Sequence, residues 1–551
     1  MATTGDTTKN RQEEKCQVET SRGCQEQLWT KPRPSCMNVR RYWPLITLLC
    51  LAVFACNLPA LTTSSPASVR TPSLSVQEVP SQPLVPSPVP AVAYQPVFEP
   101  APCAFVVPTG YSPDCGYLVV PENRTRSDRP SIRLHVAIFR NHSRVPVPDP
   151  VVHLAGGPGS SSLSVAEYLF DQGLGAILEK RDFILFDQRG TGYSQPRLDC
   201  TERTSITGML LEGGLSTEET QLTIQDAFRR CRDRLIAEGK DLSAYNSAAS
   251  AADLNDLRLA LGYEKLNLYA VSYGTRLALT VMRDYPNSVR SAVLDSAYPL
   301  QVNLYTALAP NADRAFNIFF NRCAADSNCN ATYPDLRNVL YQLVDQLNAY
   351  PVSVSLSSGG IDRTVRVDGG LLIDVLFTGL YNPIVTASMP QMIYDIQRGE
   401  YTLLRQRLAL YFDTSSALGM QMAVQCAEEF PFNTPEDVYT AAQGAQPQIA
   451  AFYPASVQPL FAACREWAFS APDPRENMPV LSDIPALILA GEHDPITPPE
   501  WGRMVAQDLA NAYFHEFPGN GHWVTRSSRC ALSMALAFWD SPMQDPTLMC
   551  Q

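Results

Sequence analysis

Between residues 151 and 295 the chain alternates short, largely apolar runs with stretches of helical period. VVHL at 151–154, DFILF at 182–186, LNLYAV at 266–271 and VRSAVL at 289–294 have the length and apolar content of strands buried on both faces. In DLNDLRLALG, residues 253–262, Leu254, Leu257 and Leu261 share one helical face and Gly262 caps the end. After Ser272 a second helix is expected, with Leu277, Val281 and Met282 on one face and Pro286 as its stop. This alternation predicts an α/β fold, a mainly parallel sheet flanked by helices. SIRLHVAIF at 131–139 alternates apolar with polar residues and reads as an early antiparallel strand. From about 301 to 475 the alternation disappears, and the aromatic-rich, irregular pattern predicts an inserted, mainly helical cap. IPALILA at 484–490 and AYFHEF at 512–517 restore the sheet, and a last helix contains Cys530, Ala531, Leu532 and Met534.

The amino-terminal hundred residues belong to another regime. Residues 1–36 are polar and lack apolar periodicity. Arg40 and Arg41 then precede an apolar run, Pro44 to Ala55, that ends in the lipobox-like Val53-Phe54-Ala55-Cys56. This order predicts export from Met37, with Cys56 as the lipid-anchored start of a cell-surface protein. Plain secretion and a membrane anchor are the alternatives, although the run is shorter than the ~20 residues a span needs. Residues 1–36 are then a mis-called extension or a long leader. Residues 57–100 are rich in Pro and Ser and read as a linker. The catalytic core is expected in two parts, 101–300 and 476–551, around a cap at 301–475.

Cysteine usage agrees with export. Five of the 15 cysteines lie at or before Cys56, and ten follow it. With no C-x-x-C spacing, zinc ribbons and thioredoxin motifs are not supported. Up to five disulfides are expected, paired most simply between neighbours in the chain. A net charge of −12 argues against nucleic acid as a partner.

The chemistry concentrates at strand ends. Ser272 stands between strand and helix in Ala270-Val271-Ser272-Tyr273-Gly274, a G-x-S-x-G elbow with Ala in the first position. A serine hydroxyl is a weak nucleophile and needs exposure, a base and oxyanion donors. Among the six histidines, His522 follows the last strand in a Gly-rich loop and is the expected base. Asp494 follows the preceding strand and is the expected acid, ahead of Glu492 and Asp483. The order Ser, Asp, His is that of α/β-hydrolases. Ala155-Gly156-Gly157-Pro158-Gly159-Ser160 lacks the Lys of a phosphate-binding loop and reads as an oxyanion loop. Backbone N–H groups of Tyr273 and of Gly157, or its neighbour Gly156, are the expected donors. Asp187 and Arg189, in DQRGTGYS, are expected to hold loops beside the site.

AGGPGSS at 155–161, DQRGTGYS at 187–194, NLYAVSYGTRLAL at 267–279, AGEHDPITP at 490–498 and GNGHW at 519–523 resemble the secreted tripeptidyl aminopeptidase branch of the proline iminopeptidase family. Ala155 and Ala270 stand where that family more often has Gly. The resemblance implies an α/β-hydrolase core with a helical cap and hydrolysis near free N-termini of peptides, with neither metal nor cofactor. The substrate would be a peptide or a small amide or ester, and the only membrane contact a lipid anchor. An esterase or amidase for non-peptide substrates and a catalytically dead binding lipoprotein are the other readings. An exopeptidase must sense an α-ammonium, and Glu428 and Glu429 in the cap are the expected detectors. Substrate length and oligomeric state are not legible.

Overall fold

A computed structural model describes residues 94–550, apart from 127, 359 and 468–472. The leader, Cys56 and most of the linker lie outside the described residues.

Eleven strands are described: β1 Val97–Pro100, β2 Asp114–Pro121, β3 Ser131–Phe139, β4 Val151–Leu154, β5 Phe183–Phe186, β6 Leu266–Val271, β7 Val289–Asp295, β8 Val352–Ser358, β9 Ile361–Val367, β10 Ala486–Gly491 and β11 Ala512–Phe517. Nine of them form one sheet in the order β1-β2-β3-β5-β4-β6-β7-β10-β11. β1, β2, β3 and β5 pair antiparallel, and the pairs from β5 to β11 are parallel. The expected α/β architecture therefore holds.

Both faces of the sheet are covered. Leu266, Leu268 and Ala270 of β6 enter a core shared with the helices Ser247–Ala260, Tyr273–Asp284 and Pro499–Asp508. Tyr269 and Val271 point the other way, into a core shared with Ala166–Asp171 and Arg529–Asp540. Burial on two sides is why these strands lack the polar alternation of an exposed sheet.

The insertion between β7 and β10 is a cap of helices from Leu304–Ala325 to Pro447–Trp467, with its own apolar core. It is mainly helical, as expected, and also contains the antiparallel hairpin β8–β9, which was not anticipated from the sequence. The linker boundary at residue 100 needs correction too. β1 occupies its last four residues, Val97–Pro100, at the edge of the sheet, where Pro is tolerated.

The ten cysteines after Cys56 form five disulfides between chain neighbours: 103–115, 200–231, 323–329, 426–464 and 530–550. No helix among the described residues is long and apolar enough to cross a membrane.

Candidate active site

β6 ends at Val271, and the next helix begins at Tyr273, leaving Ser272 alone in the turn at φ 59° and ψ −128°. A non-glycine residue rarely occupies that region, so the surroundings must enforce it. They do so from both sides. The Ser272 N–H donates to the Asp295 carbonyl at 3.1 Å, and the Ser272 carbonyl accepts from the Thr275 N–H and hydroxyl at 2.8 and 2.6 Å. A Cβ on Gly274 would lie 2.1 Å from the Leu154 carbonyl oxygen, so only glycine fits there. Ala270, two residues before the serine, is fully buried without conflict, which is why the first small position accepts a methyl group.

His522 comes from the loop after β11. Its Nδ1 is 2.8 Å from Asp494 Oδ2. Thr497 Oγ1 donates to the same carboxylate oxygen at 2.7 Å and lies 3.0 Å from His522 Nδ1. Asp494 Oδ1 accepts from the N–H groups of Ile496 and Thr497 at 3.0 and 2.9 Å. Burial alone would push this carboxyl up, but His522 and the Thr497 hydrogen bonds hold it below the usual carboxylate range. The two loops are tied together by the His493 N–H donating to the Asn520 carbonyl at 2.8 Å. From the cap, Arg314 donates to the carbonyls of Glu492 and Asp494 at 3.0 and 2.6 Å.

Ser272 and His522 line one cavity of about 570 Å³. Gly156 and Gly157 form part of its wall, and a Cβ on Gly156 would lie 2.9 Å from that of Ser272. Tyr273, as the first helical residue, has a backbone N–H without a partner in its own helix. Cap residues Leu304, Tyr305, Phe377, Tyr381, Tyr453 and Leu460 line the cavity on the other side. A second cavity of the same size, between the helices Thr217–Ala237 and Pro447–Trp467, contains none of the candidate nucleophile, acid or base residues.

The remaining candidates are placed elsewhere. Asp483 precedes β10 and so lies at the opposite end of that strand from Asp494. Glu492 accepts from the Gly519 N–H at 2.8 Å and pairs with Arg322. His515 meets Asp545, and His493 is buried with neither ring nitrogen hydrogen-bonded among the described residues. His153 does line the cavity, but burial pushes it down to about 3, so it stays neutral.

Glu428 and Glu429 are not on the cavity wall, which corrects their expected part in amine binding. Glu428 accepts from the Ser247 N–H and hydroxyl at 2.5 and 2.6 Å, and that hydroxyl also meets the Tyr273 phenol at 2.8 Å. Glu429 accepts from Arg276 at 3.1 Å and from the Leu304 N–H at 3.0 Å. Both carboxyls are buried beside the single Arg276 guanidinium, and burial pushes both up, Glu428 to about 7 with Glu476 adding to the shift.

Asp187 and Arg189 hold loops. Asp187 accepts from Ser161 Oγ at 2.7 Å and the Tyr193 N–H at 2.7 Å. Arg189 makes a two-point contact with Asp253 at 2.7 Å for each bond. Sequence reasoning missed Thr497 and Asp295. Asp295, at the end of β7, accepts from the N–H groups of Val524 and Thr525 at 2.7 and 2.8 Å and thereby fixes the chain just after His522.

The elbow at the end of a central parallel strand, with the candidate acid and base in loops after the last two strands of the sheet, β10 and β11, decides the superfamily. The chain is an α/β-hydrolase. Its residues 149–366 match the family model described as alpha/beta hydrolase fold, and residues 450–547 match that of TAP-like protein. The hydrolase is 26% identical over 439 residues to the serine protease Hip1 of Mycobacterium tuberculosis, which covers 74% of this chain and 81% of that one. It is 30% identical over 190 residues to the tripeptidyl aminopeptidase of Streptomyces lividans, covering 33% of this chain and 35% of that protein. Over 228 residues it is 29% identical to the putative hydrolase YuaR of Escherichia coli, at 39% and 43% coverage. The hydrolase thus belongs to the serine-hydrolase superfamily and has peptidase-like relatives.

Proposed function

We propose that this hydrolase is an exported aminopeptidase that removes short peptides or residues from free N-termini through an acyl-enzyme. The reading is carried by one observation: Ser272 and the Asp494-bound His522 share a cavity whose opposite wall is the helical cap, so that a substrate must enter between core and cap, as a chain end can. The TAP-like match and the tripeptidyl aminopeptidase relative support the same reading.

In this mechanism the Ser272 hydroxyl attacks the scissile carbonyl and passes its proton to His522 Nε2. Asp494, held ionised, fixes the ring through Nδ1 and stabilises the imidazolium. The oxyanion accepts from the N–H groups of Tyr273 and Gly157. His522 then protonates the leaving amine, which departs, and water attacks the acyl-enzyme with His522 again as base.

The test is a panel of tripeptidyl p-nitroanilides with free and acetylated N-termini, together with p-nitrophenyl esters. Preferential cleavage of the free-amine anilides is expected. Turnover confined to the esters would instead establish the esterase reading. Ser272→Ala should lower kcat by about 10⁶-fold with the fold retained, because the nucleophile acts as one unit with its base. Activity within tenfold of wild type would remove Ser272 from the mechanism.

A further inference from the structure

If the substrate carries a free α-ammonium, the cavity must offer it a counter-charge. Among the described residues lining the cavity there is one carboxylate, Asp374, and neither a Lys nor an Arg. Asp374 sits on the cap helix Gly369–Gly379 and takes part in no ion pair among the described residues. Its one side-chain partner is the Tyr411 hydroxyl, which donates to Oδ2. A carboxylate drawn out of water without a cation is costly, and burial accordingly pushes the Asp374 carboxyl up; a cationic ligand beside it would restore the charged form.

The surroundings suit an ammonium ion. Phe377, one helical turn from Asp374, packs its ring 5.5 Å from that of Tyr453 and 5.9 Å from that of Tyr381. All three rings line the cavity. The Tyr453 hydroxyl is buried and has no partner among the described residues, so an acceptor is free beside the carboxylate. Ring faces attract a cation, and a carboxylate with a nearby hydroxyl can accept its N–H bonds. We propose that Asp374, with Tyr411, Tyr453, Phe377 and Tyr381, forms the subsite that binds the substrate's terminal ammonium group. This assignment rests on the aminopeptidase reading and replaces Glu428 and Glu429 in that role.

The Tyr381 ring lies 4.8 Å from that of His522, so one aromatic contact links the base to the wall that holds Asp374.

The experiment compares kcat/KM for Ala-Ala-Ala-p-nitroanilide and its N-acetyl counterpart in wild type and in Asp374→Asn. Fluorophosphonate labelling of Ser272 in each protein reports whether the site is assembled. The free-to-acetylated ratio should fall at least tenfold in Asp374→Asn, mainly through KM. Should that variant not fold, Tyr411→Phe and Tyr453→Phe serve in its place, with an expected fall of at least threefold each. A selective wild type whose ratio survives these changes within twofold overturns the subsite alone. A wild type that cleaves free and acetylated substrates equally overturns the aminopeptidase reading and the subsite with it.

Discussion

Burial acts in opposite directions on the two kinds of titratable group around the cavity. Asp494 stays charged because Thr497 and His522 return what water would have supplied. His153 receives no such help. Its Nδ1 meets Ser162 Oγ at 3.0 Å, Nε2 is buried and unpaired, and the ring is held neutral at about 3. In the unfolded chain the same imidazole titrates near ~6.5. Between these values the unfolded state binds the extra proton, so stability falls as pH is lowered through that window, by roughly 1.4 kcal/mol per pH unit. His493, pushed down to about 4 by burial, acts with the same sign. Urea unfolding at pH 6.5, 5.5 and 4.5 should therefore show a shallower loss of stability in His153→Gln than in wild type. Parallel loss in the two proteins would mean that His153 is not the buried neutral ring described. Ser272, Asp494 and His522 were legible in the sequence because each ends a recognisable strand. Thr497 and Asp374 were not, because one is a hydroxyl in a loop and the other an acid in a helix, and only folding places them.

At the scale of elements, the helix Pro447–Trp467 has two functions in one piece of chain. It packs in the cap and presents Tyr453, Ser456, Val457 and Leu460 to the cavity. The disulfide Cys426–Cys464 ties it to the helix Leu418–Glu428, closing a loop of 38 residues. By loop entropy such a link stabilises by about 3–4 kcal/mol. Replacing both cysteines with Ser should lower Tm by several degrees and raise KM more than it lowers kcat, because the wall moves while the nucleophile stays. A change in kcat alone would separate the disulfide from the cavity. The same scale shows where sequence reading stops. The core strands were readable from their unbroken apolar runs. β8–β9 carries an equally plain signal, with Val354, Leu356, Val365 and Val367 buried on alternate positions, but it is embedded among helices and was absorbed into them. β1 is bracketed by Pro96 and Pro100, and its proline content resembles the linker before it.

For the whole molecule, the pairing of all ten cysteines after Cys56 fits an oxidising compartment. Export from Met37 with a modified Cys56 is the expectation that completes this picture. Intact-mass analysis of the mature protein should find an N-terminus at Cys56 carrying lipid, and a chain that still contains residues 1–36 would refute it. The order of the parts along the chain has a further consequence. The candidate nucleophile is at position 272, while the candidate acid and base are at 494 and 522, beyond the entire cap. During synthesis the ribosome therefore releases the serine more than two hundred residues before its partners. A nascent chain that has not reached residue 522 carries an elbow but no candidate base, so it has no assembled triad.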